Sequence, residues 1–155
     1  MSNDTELLDK LHSEFADFHE FINEWFTGRC PQDDALFEDR HVRHLARGFQ
    51  IILPDGSVID RTPFIAYLRG LYGSNPAFKK QIRNIELRPG DPAGCLLVNY
   101  QEWQRGAANT LPANHGRMVS AVLQARHGDP TRLEWLQIHE TMLPPETIAA
   151  EPFDF

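Results

Sequence analysis

Near residue 78 the hydrophobic period of this chain changes from about 3.6 to 2, and that change constrains its fold class more tightly than any motif does. Before it, apolar residues recur at steps of three and four; after it, as far as residue 143, they alternate. A chain that places helices first and long strands second packs as α+β, with the helices covering one face of the sheet. With 155 residues, 41% of them hydrophobic, the chain suffices for one domain around a single core. The expectation is one domain over residues 1–143 and a loosely structured C-terminal tail over 144–155, where prolines remove backbone donors.

In the helical half, Leu7, Leu8, Leu11, Phe15, Phe18, Ile22, Trp25 and Phe26 give the stripe of an amphipathic first helix over 4–26. Asn3 and Glu6 suit its start, and Gly28 suits its stop. Pro31 in a first turn, followed by DDALFEDRHVRHL, predicts a shorter second helix with Ala35, Leu36 and Val42 inward. His41, His44 and Glu38 have helical spacing, but an HxxH without the general-base glutamate of HExxH matches a metal site poorly. Ala46 to Leu53 reads as a strand, turned at Pro54-Asp55-Gly56 into a short return strand. Asp60 or Thr62 then caps a third helix facing inward with Phe64, Ile65, Leu68 and Leu71.

Four strands follow, over about 78–88, 95–105, 116–126 and 132–143, broken at Pro89 to Gly94, at the Gly106 to Gly116 loop and at His127 to Pro130. Connections this short favour antiparallel neighbours. In the second long strand, Leu96, Val98, Tyr100 and Glu102 share one side. In the last, Leu136, Ile138, Glu140 and Met142 oppose Trp135, Gln137, His139 and Thr141. Taking the more apolar sides as inner puts Glu102 and Glu140 at the ends of apolar rows; Met118, Ser120 and Val122 are assigned inner on the third long strand by a narrow margin. Unpaired burial of a carboxylate costs several kcal/mol, so each marks either a site or a buried link to Arg83, Arg117 or His19. Trp103 and Trp135, in the company of Gln137 and His139, fall on the outer face, a mixture that suits a homodimer interface or a terminal segment folded over it.

Fifteen basic against twenty-two acidic residues, a net charge of -7 without a basic run, disfavours nucleic acid and anionic membrane as partners. No apolar run approaches the roughly 18 residues of a membrane span, and no secretory leader is recognisable, so a cytoplasmic location is expected. Cys30 and Cys95 lack metal or disulfide spacing and are expected as free thiols. No metal or cofactor is expected.

The segments FHEFINEWFTG (18–28), LPDGSVIDR (53–61), LYGSNPAF (71–78), NYQEWQ (99–104), GRMVSAVL (116–123) and EWLQIHETML (134–143) resemble small bacterial proteins of unassigned function in the nuclear transport factor 2-like superfamily, with ketosteroid isomerase and the SnoaL-like cyclases. The resemblance covers about residues 5–143 and implies three N-terminal helices packed on a strongly curved antiparallel sheet, a cystatin-like cone around a pocket. It implies a dimer through the outer sheet face, but no activity. At the position of the isomerase's aspartate base this chain reads Gln50-Ile51-Ile52-Leu53, and its first helix lacks the tyrosine donor, so that machinery is not reproduced. The candidate ligand contacts are His19, Tyr100, Ser120, Ile138 and Trp25, with Glu102 and Glu140 as candidate catalytic bases. The expected function is small-molecule binding in an apolar pocket; the alternatives are isomerisation, cyclisation or dehydration of a carbonyl or polyketide-like substrate, and a protein-interaction module.

Overall fold

The computed structural model describes residues 2–89, 95–127 and 129–155, with the side chains of 2–8, 89 and 129–131 outside that description. Helix α1 spans Ser2–Thr27. Its stripe Leu11, Phe15, Phe18, Ile22 and Trp25 is buried as the spacing requires, together with His19 and Phe21. The expected start signal of Asn3 with Glu6, and the first apolar positions Leu7 and Leu8, lie outside the described side chains. Gly28 ends the helix at φ 71°. A Cβ there would also sit 3.3 Å from Cα of Gly73, so the position needs glycine twice over.

Helix α2 covers Asp34–Arg40, and Asp33 caps it by accepting from the backbone N–H groups of Ala35 at 2.7 Å and Leu36 at 3.1 Å. The helix is shorter than its pattern suggested and turns Phe37 inward, leaving Ala35 exposed. A single 3₁₀ turn, Val42–His44, leads into β1 (Leu45–Ile52), which turns back through β2 (Val58–Asp60) into α3 (Arg61–Arg69). Ile65 and Leu68 are the buried face of α3, and α1 is tied to this helix by Trp25 Nε1 donating to the Leu68 carbonyl at 3.0 Å.

The long strands are β3 (Lys79–Pro89), β4 (Cys95–Arg105), β5 (His115–Arg126) and β6 (Asp129–Met142). They run antiparallel in the order β2-β1-β6-β5-β4-β3, with β1 joining β6 in parallel, so the sheet is open at β2 and β3. The turn expected over 90–94 and Gly128 lie outside the described residues. Register shifts interrupt the ladders at four places among the described residues, and two of them bear on the faces of the sheet. In β3 an extra residue follows Arg83, with Asn84 at φ 56°; in β6, Val122 faces Gln137 and Leu123 faces Trp135, leaving Leu136 unpaired. Bulges bend and twist a strand, which suits a curved sheet.

The β6 bulge corrects the expected faces. Ile138 and Glu140 are buried as assigned, but the extra residue reverses parity before them, and Trp135 enters the core, where it stacks on Phe18 with 4.8 Å between ring centroids. On β5 the buried set is Arg117, Val119, Ala121 and Leu123, not Met118, Ser120 and Val122. Alternation left that strand undecided; pairing of Val119 with both Tyr100 and Glu140 decides it.

The tail is not loose. Helix α4 (Pro145–Ala149) leads the last residues back onto the outer sheet face. Phe153 meets Trp103 edge-on at 5.8 Å, and the Arg83 guanidinium lies 5.1 Å from the Trp103 centroid and 5.3 Å from that of Phe155. Arg83 also binds Glu151 with both amino groups, at 2.9 and 3.1 Å. The dimer face expected at Trp103, Trp135, Gln137 and His139 is therefore corrected. Trp135 is inside and Trp103 is covered by the chain's own end, leaving His139 exposed and Gln137 half-buried on the outer face. The interaction-module alternative, which rests on outer tryptophans and the acidic tail, loses the first of these supports for the same reason.

Candidate functional site

Between the helices and the inner sheet face lies a cavity of about 240 Å³. Its roof is apolar and aromatic: Phe18 and Ile22 from α1, Phe64 and Leu68 from α3, with the imidazoles of His19 and His41 among them. Ile51 and Ile138 continue this lining onto the sheet. Both histidines are buried, and none of their ring nitrogens has a hydrogen-bond partner in the protein. Burial foremost, then the charge of Lys80, pushes each imidazole down to about 3, so both are neutral. A neutral imidazole offers one donor and one acceptor.

The floor is different. Lys80 on β3, Glu102 on β4, Arg117 on β5 and Glu140 on β6 line the cavity as alternating charges on four adjacent strands. Lys80 Nζ lies 2.5 Å from Glu102 Oε1, and Arg117 is bonded to Glu140. Asn23 of α1 fixes the first cation by clamping its backbone, accepting from Lys80 N at 2.7 Å and donating to Lys80 O at 3.0 Å. Arg117 Nε donates to His115 Nε2 at 2.9 Å while His115 Nδ1 meets the Pro112 carbonyl at 2.9 Å. A carbonyl only accepts, so the proton of His115 sits on Nδ1. Another Arg117 nitrogen donates to Thr110 Oγ1 at 3.0 Å, which fastens the cavity's 107–110 wall to the floor.

The two carboxylates differ. Burial works to raise Glu102, but Lys80, His19 and Arg117 outweigh it and hold the group at about 2. Burial and then the Glu102 charge push Glu140 up to about 7, against the pull of Arg117 and Lys80. Tyr100, beside them on the inner face, is raised by burial and then by both glutamates. A fixed anion, a carboxyl near neutrality and a phenol that stays protonated thus share one wall.

Of the residues singled out from sequence, His19, Tyr100, Glu102, Ile138 and Glu140 come together here. Ser120 does not: it lies on the outer face, its hydroxyl accepting from Asn99 Nδ2 at 2.7 Å. Trp25 is scaffold, fully buried against Phe37 at 4.7 Å and outside the cavity lining. Lys80 was missed, although Phe78, Lys80 and Ile82 alternate just as the row containing Glu102 does. His41, considered only for metal, is a roof residue, and no cluster of His, Cys, Asp and Glu among the described residues could hold a metal ion. No helix among them is long and apolar enough to cross a membrane.

No protein-family model and no curated protein matches the sequence. Solved structures do match. An NTF-2-like protein of unknown function from Pseudomonas aeruginosa aligns with a TM-score of 0.71 at 22% identity, over 87% of this chain and 99% of that one. The chain has the nuclear transport factor 2-like fold. An uncharacterised cystatin-like protein from Caulobacter vibrioides aligns with a TM-score of 0.64 at 14% identity, over 95% and 96% of the two chains. A protein described as a candidate polyketide cyclase from Xanthomonas campestris aligns with a TM-score of 0.52 at 16% identity, over 91% and 96%. At these identities the likeness establishes the nuclear transport factor 2-like architecture, while function has to come from the site.

Proposed function

We propose that this protein binds a small, largely apolar molecule in the cavity between α1 and the sheet. The observation that carries this reading is the pair of buried, neutral imidazoles, His19 and His41, which face an apolar cavity with no protein partner for any ring nitrogen. An unpaired buried polar group costs about 1–3 kcal/mol, and a ligand that supplies a hydrogen-bond partner removes that cost. Concave, mostly apolar pockets with a few placed polar groups are the usual form of small-molecule sites. His19, Tyr100 and Ile138 are the contacts proposed for the ligand, with Lys80 and Arg117 added. A thermal-shift screen against cyclic ketones, aromatic acids and fatty acids tests it. A ligand that binds the folded state raises the melting temperature, and His19→Phe abolishes that rise. A rise that survives both His19→Phe and His41→Phe would place the ligand elsewhere.

One observation favours a second reading, acid–base catalysis on the bound molecule. Glu140 is raised to about 7 on the same cavity wall as Tyr100, with Val119 of β5 between them, so a general acid or base and a hydroxyl donor border one cavity. Glu102, ionised and paired with Lys80, is the weaker base. The likeness to a candidate polyketide cyclase agrees with isomerisation, cyclisation or dehydration of a carbonyl compound. Turnover of a hit from the screen, lost in Glu140→Gln, tests this. We also propose self-association through the part of the outer face that the tail leaves open, around His139, Gln137 and Met118, which is 42% exposed.

A further inference from the structure

The charge ladder has more donors than it uses. Lys80 carries three N–H groups and has one carboxylate, Glu102, within salt-bridge distance. Arg117 carries five, of which His115, Glu140 and Thr110 each take one. Both cations line the cavity. On the acceptor side, Glu102 is engaged at both oxygens, by Lys80 at 2.5 Å and by Gln104 Nε2 at 3.4 Å, and Glu140 is engaged by Arg117. Three of the four carboxylate oxygens of the floor are thus already engaged, while Lys80 and Arg117 keep N–H groups to spare. The Lys80 charge is felt across the whole cavity, since it is the second cause of the depressed basicity of both His19 and His41.

Resting on the reading of the cavity as a ligand site, we propose that its ligand is a small organic acid bound as the anion, with an apolar body under the aromatic roof and one carboxylate on Lys80 and Arg117, and that Glu140 takes up a proton as the acid enters. The exchange follows from charge. Lys80 and Arg117 balance Glu102 and Glu140, so a third carboxylate makes the buried cluster net negative unless one carboxylate is neutralised. Glu140 is the group placed to yield. It feels the charges of Arg117 on β5, Lys80 on β3 and Glu102 on β4, and acts on Tyr100 of β4; His19 on α1, His41 after α2 and Tyr67 of α3 also border the cavity, and β1 contributes only apolar side chains there. Lys80 and Glu102 are already paired to each other, whereas Glu140 competes directly with the incoming carboxylate for Arg117.

Isothermal titration of the whole protein with 2-naphthoate, 2-naphthamide and 2-naphthylmethylammonium tests this, since the three share a body and differ in head group. The acid is expected to bind at least about ten-fold tighter than the amide, and the ammonium not at all. Run near neutral pH in phosphate and in Tris, the acid's binding heat should differ by buffer in the sense of proton uptake by the protein. Its affinity should fall as the pH rises above neutrality, by up to about ten-fold per unit. Glu140→Gln should remove the uptake. The double variant Lys80→Gln, Glu102→Gln, which leaves no unpaired charge, should weaken the acid about ten-fold and spare the amide. If that variant does not fold, the wild-type head-group series still decides. Equal affinities for acid and amide, or a preference for the ammonium, would overturn the organic-acid assignment while the cavity stands as a ligand site. A buffer-independent heat would overturn the proton exchange. Failure of all three probes to bind, with no hit in the thermal-shift screen, would remove the ligand-site reading itself.

Discussion

The roof of the cavity buries two imidazoles that have no protein partner, whereas the floor buries four charges that partner one another. Both walls carry polar groups in a low-dielectric space, but they solve the desolvation problem differently. The floor pairs its charges internally and keeps spare donors on Lys80 and Arg117. The roof leaves its imidazoles unpaired, and an unsatisfied polar group in an otherwise well-packed wall is where a ligand is most easily accommodated. Between pH 7 and 5 the roof imidazoles and Glu140 of the floor also titrate in opposite senses, which makes the comparison measurable.

The largest effect should come from breaking the floor. Lys80→Met leaves Glu102 buried without its cation and is expected to lower stability by about 3–5 kcal/mol, measured by urea unfolding. Adding Glu102→Gln to that variant should restore most of the loss. If Lys80→Met proves harmless, the ladder is not the paired structure described, and the contrast with the roof disappears.

The pH dependence comes next. In the folded protein His19 and His41 titrate at about 3, against an ordinary histidine value of 6.5. The unfolded chain therefore binds more protons between those limits, and each histidine lowers stability by about 1.4 kcal/mol per pH unit as the pH falls below about 6.5. Glu140, raised from 4.5 to about 7, acts the other way. Its contribution is present in full below about 4.5 and is lost as the pH rises towards 7. Unfolding measured from pH 7 down to 5 should show a net loss. His19→Phe should flatten that slope by roughly one proton's worth and Glu140→Gln should steepen it, whereas equal slopes in all three would mean that the walls do not titrate as described.

On the outer face, Gly116→Ala should cost about 1–3 kcal/mol, because a Cβ there would lie 2.8 Å from both the Trp103 ring and Leu143. Release of the C-terminal segment would appear as faster proteolysis after Met142. The smallest effect on stability, within about 0.5 kcal/mol, is expected for Met118→Glu on the open part of the same face. That variant should instead shift sedimentation towards the monomer if two copies meet there.

How much of this could be read from the chain depends on the range of the cause. The change of period near residue 78, the stop at Gly28 and the inner row Val98, Tyr100, Glu102 are local, and backbone geometry alone dictates them: side chains repeat every 3.6 residues on a helix and every two on a strand. From them the α+β class, the helix-covered sheet and one half of the cavity floor were legible. The single extra residue at Leu136 was not, because both faces of β6 carry large apolar groups and neither parity is penalised until the strand pairs with β5. The faces of β5 were undetermined for the same reason. Of the glutamates' partners, Arg117 was among the candidates named from sequence and does pair with Glu140, whereas Lys80 was hidden. Lys80 reaches Glu102 only because strands β3 and β4 pair in one register with Asn23 clamping the backbone of β3, and the tail covers Trp103 only because Arg83 and Glu151, 68 residues apart, meet across the sheet. Sequence patterning determined which residues could be inside; long-range register, which no local pattern encodes, decided which charges meet there and left all three tryptophans buried within the chain.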